Sequence, residues 1–263
     1  MFSRHSSITS YYNQTSKEEK LVSKFNKDSN VYTIGFLAVL ALVVALVLGV
    51  LSQSLKPLSD ANIKLDTRKK ILMSCVSDPN MVANKDEAWI NGTYENSISG
   101  ILIDVNGDTV ADVVPEGSYD FRNEVKNKGE ERQIPIYSYT DEKDSTYYIL
   151  QMIGMGLWDE INGYLCIGSD WNTIKGVAFD HKGETPGLGA ELVKPWFTNQ
   201  FINKKLFDDE GNYAFKVYKA GKYTSGENGV DGMSGATLTT EGVDMMVQAT
   251  VEMYASKFNP VNL

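Results

Sequence analysis

Gly100-Ile101-Leu102-Ile103-Asp104-Val105-Asn106-Gly107-Asp108-Thr109-Val110-Ala111-Asp112-Val113-Val114 sets two apolar, β-branched runs on either side of Asn-Gly-Asp. Runs of that composition suit a pleated, half-buried strand, and Asn-Gly tolerates the positive φ that a tight turn demands. Strands joined by so short a connection run antiparallel. The spacing of Asp104, Asn106 and Asp108 also resembles the start of a calcium loop. Thr109, however, stands where that loop requires glycine, and Pro115 stands where it requires glutamate. The hairpin is the better reading, and it predicts an antiparallel sheet.

C-terminal to the hairpin, residues 147–153, 163–167, 174–179 and 213–218 are further β-branched or aromatic runs bounded by Gly, Asn or Asp. They read as strands. Residues 190–201 suit a short helix. The last helix is clearer: Val243, Met246, Val247, Thr250, Val251 and Tyr254 recur at helical spacing, leaving Glu241, Asp244 and Glu252 for the wet side. A mostly antiparallel sheet with a few helices is an α+β arrangement.

N-terminal to the hairpin, residues 31–51 carry no charge, and the uncharged stretch extends from Ser29 to Leu55. As a helix this run is about 31 Å long, the thickness of a bilayer's hydrocarbon core. A cleaved signal peptide has a shorter apolar region, about 7–15 residues, and Ser52-Gln53-Ser54-Leu55-Lys56-Pro57 makes a poor cleavage site. A retained single span is predicted. Lys17, Lys20, Lys24 and Lys27 precede it, against Lys56 and Lys64 beyond, which puts the N-terminus in the cytoplasm. Arg68, Lys69 and Lys70 pull the other way. The predicted organisation is a polar, unstructured cytoplasmic tail (1–30), a transmembrane helix (31–52), a charged juxtamembrane stalk (53–74) and a folded domain (75–263).

The 263 residues are 42% apolar, enough to build a core, and carry 34 acidic against 25 basic side chains for a net charge of −9. That balance argues against nucleic acid as a partner. Cys75 and Cys166 are too few and too isolated for a zinc site or a disulfide scaffold, and the run Gly163-Tyr164-Leu165-Cys166-Ile167 suggests a buried thiol. With only His5 and His181, neither a histidine metal centre nor a Ser–His–Asp triad is expected. No dinucleotide or P-loop motif occurs, since Gly154-x-Gly156 runs on to Asp159 rather than glycine.

Three segments are unusually rich in Gly, Thr and aromatic residues: 154–159 (Gly-Met-Gly-Leu-Trp-Asp), 183–189 (Gly-Glu-Thr-Pro-Gly-Leu-Gly) and 229–240, which runs into the last helix. The third has the form of a phosphate cradle at a helix N-terminus. It also has the form of a helix start capped by Thr239 or Thr240. The residues alone leave both readings standing.

Ser234-Gly235-Ala236-Thr237 resembles the flavinylation motif of FMN-binding domains, in which the final threonine is esterified to the phosphate of FMN. Residues 183–189 resemble the second hallmark of the same domains. These hallmarks, Gly154-Met155-Gly156-Leu157-Trp158 and the N-terminal span follow the order seen in a family of covalent-FMN subunits of Na⁺-translocating NADH:quinone oxidoreductases, a resemblance covering residues 31–255. The long polar tail departs from that pattern.

The resemblance implies a covalent FMN on Thr237. Asp231, Ser234 and Gly235 would belong to the recognition sequence of a Mg²⁺-dependent flavin transferase, with Ala236 among the cofactor-binding residues. Glu184, Thr185, Gly187, Leu188 and Trp158 would line the isoalloxazine, although Trp158 also fits core packing and Glu184 an ordinary loop position. It further implies an electron relay in the bacterial inner membrane, with the FMN domain on the periplasmic side. The partners would be the other membrane and soluble subunits and membrane lipid, with no NADH or quinone site in this chain. The flavin-bearing subunit of an Rnf-type ferredoxin-linked electron transport complex shares anchor and motif, but the Gly-Met-Gly-Leu-Trp segment favours the sodium-translocating reductase. A membrane-bound flavin-sensing regulator and a cofactor-free adaptor are the remaining alternatives.

Overall fold

The structure, a computed structural model, describes residues 29–76, 79–115, 119–127, 129–141, 143–226, 228–254 and 256–257. The polar tail therefore lies outside the described residues. The chain divides into two units at Ser59/Asp60. Helix α1 (Asn30–Cys75) carries the apolar run and continues through Pro57. In the first unit its apolar side chains, among them Leu37, Val44, Leu46 and Val50, are exposed. A core helix of a soluble domain buries one stripe. This stretch buries none, and it is long and apolar enough to cross a membrane.

The second unit begins at Asp60 and so takes in the last turns of α1, which the sequence reading assigns to a stalk. Ile71 and Leu72 are fully buried there, and Arg68, in the middle of the same stripe, is buried as well. Its guanidinium donates to Asn91 Oδ1 at 3.0 Å and pairs with Glu95 at 2.9 Å, over the ring of Tyr94. A buried arginine interrupts the apolar stripe, which is why the periodicity here is faint.

After α2 (Pro79–Ala83) comes α3 (Glu87–Ser97), whose N-cap Asp86 accepts from the Trp89 N–H. Next follow β1 (Ile98–Ile103), β2 (Thr109–Ala111), α4 (Phe121–Lys126), β3 (Ile134–Thr140), β4 (Thr146–Met155), β5 (Glu160–Ile167) and β6 (Ile174–His181). They form a six-stranded sheet in the order β2-β1-β3-β4-β5-β6, antiparallel throughout. The β1–β2 hairpin forms as predicted, with Gly107 at φ +87°. Asp104 Oδ1 accepts from the N–H groups of Asn106 and Asp108, both at 2.9 Å, so the carboxylate that suggested calcium holds its own turn.

Alternate side chains leave the sheet on opposite faces. Ile103, Ile136, Leu150, Leu165 and Ile167 join one core, and Leu102, Tyr137, Ile149, Tyr164 and Cys166 join another. Helix α6 (Thr237–Met253) covers the first face through Val243, Met246, Val247 and Val251. Ile71 and Cys75 of α1 pack on the second. Burial on both sides is why β5 reads as a nearly continuous apolar run. The outcome is the predicted α+β domain behind an apolar helix.

Among the elements that the sequence left unread or read differently, two have a clear physical cause. Strand β3 lies in the middle of the sheet yet contains Pro135, a residue that argues against a central strand. The pairing with β4 starts only at Ile136, so Pro135 pairs with β1 alone, and its carbonyl accepts from Tyr254 Oη at 2.7 Å. Residues 190–201 are not one helix. They form a 3₁₀ turn (Gly189–Val193), α5 (Pro195–Thr198) and a second 3₁₀ turn (Asn199–Phe201), because Pro195 cannot donate to a preceding turn. The strand expected at 213–218 shrinks to β7 (Lys216–Val217), which pairs in parallel with β8 (Gly229–Val230).

Candidate functional site

Helix α6 begins at a turn in which the Ala236 N–H donates to the Met233 carbonyl at 3.2 Å and Gly235 adopts φ +73°. Only glycine takes that conformation without strain. Ala236 occupies the N-cap and has no side-chain acceptor to offer. The first-turn N–H groups of Thr237, Leu238 and Thr239 thus have no partner within the helix, and its positive end faces outward at the exposed Thr237.

Neither Thr239 nor Thr240 caps the helix. Both sit inside the first turn and are buried. Thr240 Oγ1 accepts from the Met233 N–H at 3.1 Å, and Thr239 Oγ1 donates to Glu184 Oε2 at 2.7 Å. Glu184, 5% exposed, also accepts from the Trp158 N–H at 3.0 Å through Oε1. A methyl group on Gly156 would sit 2.3 Å from Oε1, and one on Gly189 would sit 2.1 Å from Oε2. The three glycine-rich segments therefore meet around one buried carboxylate. Among the described residues it enters no ion pair.

The backbone of Trp158 is held while its ring is open to solvent: the residue is 68% exposed. Core packing does not use it. Leu188 is 41% exposed, and its Cδ2 would lie 2.8 Å from a Cβ on Gly235. Leu157 and Leu238 are exposed as well. An apolar shelf thus borders the open helix end.

Residues 156–252 match the FMN-binding domain family. The chain is 33% identical over 238 residues to NqrC of the Na(+)-translocating NADH-quinone reductase from Haemophilus ducreyi, covering 85% of this chain and 90% of that protein. It is 31% identical over 240 residues to the same component of the Neisseria meningitidis reductase, with the same coverage of 85% and 90%. This chain belongs to the NqrC family. The crystal structure of the family member from Parabacteroides distasonis superposes with a TM-score of 0.68 at 33% identity, covering 78% of this chain and 97% of that one. The Shewanella oneidensis NqrC structure gives 0.61 at 27%, covering 76% and 97%.

The predicted site residues of this NqrC-family chain differ in exposure and in what they bond. Ser234, Gly235 and Thr237 are exposed at the helix start, while Ala236 is buried. The Asp231 carboxylate accepts from the Gly221 N–H at 2.8 and 3.0 Å, and the Asp231 N–H donates to Gln200 Oε1 at 3.0 Å. Half-buried, it ties neighbouring loops together. The Thr185 carbonyl accepts from Leu188 and Ala190 across a turn in which Gly187 has φ +77°. Glu184 is turned inward and offers no face to a ring. Lys219, one lysine among many in the sequence, pairs with Glu241 at 3.1 Å, and Glu241 lies one helical turn beyond Thr237.

Proposed function

We propose that this chain is the membrane-anchored flavoprotein subunit of a Na⁺-translocating NADH:quinone reductase and bears FMN as a phosphoester on Thr237. The observation that carries this reading is Thr237 itself. An exposed threonine opens a 17-residue helix with no side-chain cap, beside an apolar shelf. A helix end with free N–H groups favours a phosphate, and Trp158, Leu188 and Leu238 offer flat or apolar surface to an aromatic ring. Bound there, FMN supplies a carrier that takes up and releases one or two electrons. The chain's own residues hold and orient it: Thr237 through the ester, the first turn of α6 through its N–H groups, and Trp158 and Leu188 through packing. On this reading NADH oxidation, quinone reduction and the sodium path reside in partner subunits.

Residues 31–52 anchor the protein, with the N-terminus in the cytoplasm and the folded unit on the periplasmic side of the inner membrane. The match to NqrC relatives over most of the chain favours this complex over an Rnf-type assembly. Maturation requires a Mg²⁺-dependent flavin transferase. Peptide mass spectrometry after co-expression with that transferase is expected to place FMN on the peptide containing Thr237. Thr237→Ala should abolish the flavin fluorescence that survives denaturation, whereas Thr239→Ala should leave the attachment in place. An unmodified Thr237 in flavin-loaded protein would refute the proposal.

A further inference from the structure

We infer that Glu184 is the positioning residue that locks the loop bearing Trp158 to the start of α6, and so sets where the shelf stands relative to Thr237. The inference rests on the flavin reading above for its consequence, but not for its geometry. Both carboxylate oxygens are used internally: Oε1 holds the Trp158 N–H at 3.0 Å and Oε2 the Thr239 hydroxyl at 2.7 Å. Glu184's own N–H is fixed by His181 Nδ1 at 3.3 Å, at the end of β6. Three segments far apart in sequence thus converge on one side chain.

The glycines on either side belong to this arrangement. At 2.3 and 2.1 Å, any Cβ at positions 156 and 189 would displace the carboxylate. These two glycines therefore serve the closure of backbone around Glu184, whatever approaches from outside. Burying a carboxylate without a cation is unfavourable unless donors replace its water. Here a backbone N–H, a hydroxyl and the positive end of α6 do so. A fully satisfied buried polar cluster of this kind imposes one geometry on the segments it joins. Trp158, exposed and otherwise on a loop, takes its position from that bond.

The test uses the full-length chain in detergent, first without flavin. Amide hydrogen exchange at Trp158 should quicken about ten- to hundredfold in Glu184→Ala. Glu184→Gln keeps an acceptor for the Trp158 N–H and a donor for Thr239 Oγ1, and should retain the protection. Gly189→Ala leaves Glu184 in place chemically but crowds it, and should mimic Glu184→Ala. In flavinylated protein, Glu184→Ala and Gly189→Ala should shift the flavin's visible absorption and midpoint potential while mass spectrometry still finds FMN on Thr237. Glu184→Gln should restore the wild-type spectrum.

Unchanged Trp158 exchange in a folded Glu184→Ala protein overturns the inference. So does a Glu184→Gln protein that behaves like Glu184→Ala, because charge rather than geometry would then be at work. Should Glu184→Ala not fold, Thr239→Val, which removes only the hydroxyl, decides in its place through the same exchange measurement. Wild-type protein without FMN on Thr237 would refute the flavin reading while the exchange results still judge Glu184.

Discussion

Trp158 separates two kinds of residue that look alike in a sequence. Its ring adds little to the core, so Trp158→Ala should lower the stability of the folded unit by less than about 1 kcal/mol, measured by denaturant unfolding. On the proposed flavin reading, the same substitution should change the absorption spectrum or potential of FMN on Thr237. A large loss of stability with an unchanged flavin spectrum would return the residue to a packing role. Glu160 shows the opposite situation, a polar side chain whose work is structural. Burial by itself would raise its pKa, but the bonds to Arg122 at 2.7 and 2.8 Å and the nearby Lys182 outweigh that and hold the carboxyl below its ordinary 4.5. Its contribution is therefore fully present above that ordinary value and is lost as pH falls through the depressed folded value. Thermal unfolding between pH 6 and 3 should show a shallower loss of stability in Glu160→Gln than in the wild type.

At the scale of elements, α1 carries an exposed apolar stretch and, in its last turns, part of the folded unit's core. Ile71→Ala removes a fully buried side chain from the sheet's second face and should destabilise the folded unit by about 2–5 kcal/mol. Val44→Ala, in the exposed apolar stretch, should leave the unit's melting temperature unchanged. A chain shortened to begin at Asp60 should likewise melt well above one shortened to begin at Val76, because only the first keeps Ile71 and Leu72. Equal melting of the two would restore the reading of residues 53–74 as a stalk. The hairpin, β4 to β6 and the last helix were legible because each shows one clear period or a turn signal. Strand β3 was not, since Pro135 is tolerated only through its register against β1 and β4, a property of the assembled sheet.

For the whole molecule, the side of the membrane on which the folded unit lies can be read chemically. Glu130 is exposed, so Glu130→Cys in a Cys75→Ser background offers a reactive thiol. Burial pushes the Cys166 thiol well above its ordinary value, so that residue should stay silent until the protein unfolds. An impermeant maleimide should label position 130 in cells whose outer membrane has been opened. Labelling only after lysis of the inner membrane would reverse the orientation. Sequence by itself determined the long apolar helix, the α+β class and the threonine at the helix start. Each is a local property, carried by uninterrupted apolarity, by hairpin chemistry or by a short motif. Tertiary structure alone decided that Glu184 faces inward, that Asp231 braces a loop and that Trp158 stands open to solvent. The physical reason is that a side chain's direction follows from where distant backbone closes on it. Gly156, Gly189 and Thr239 reach Glu184 only after the sheet has brought their loops to one end of α6.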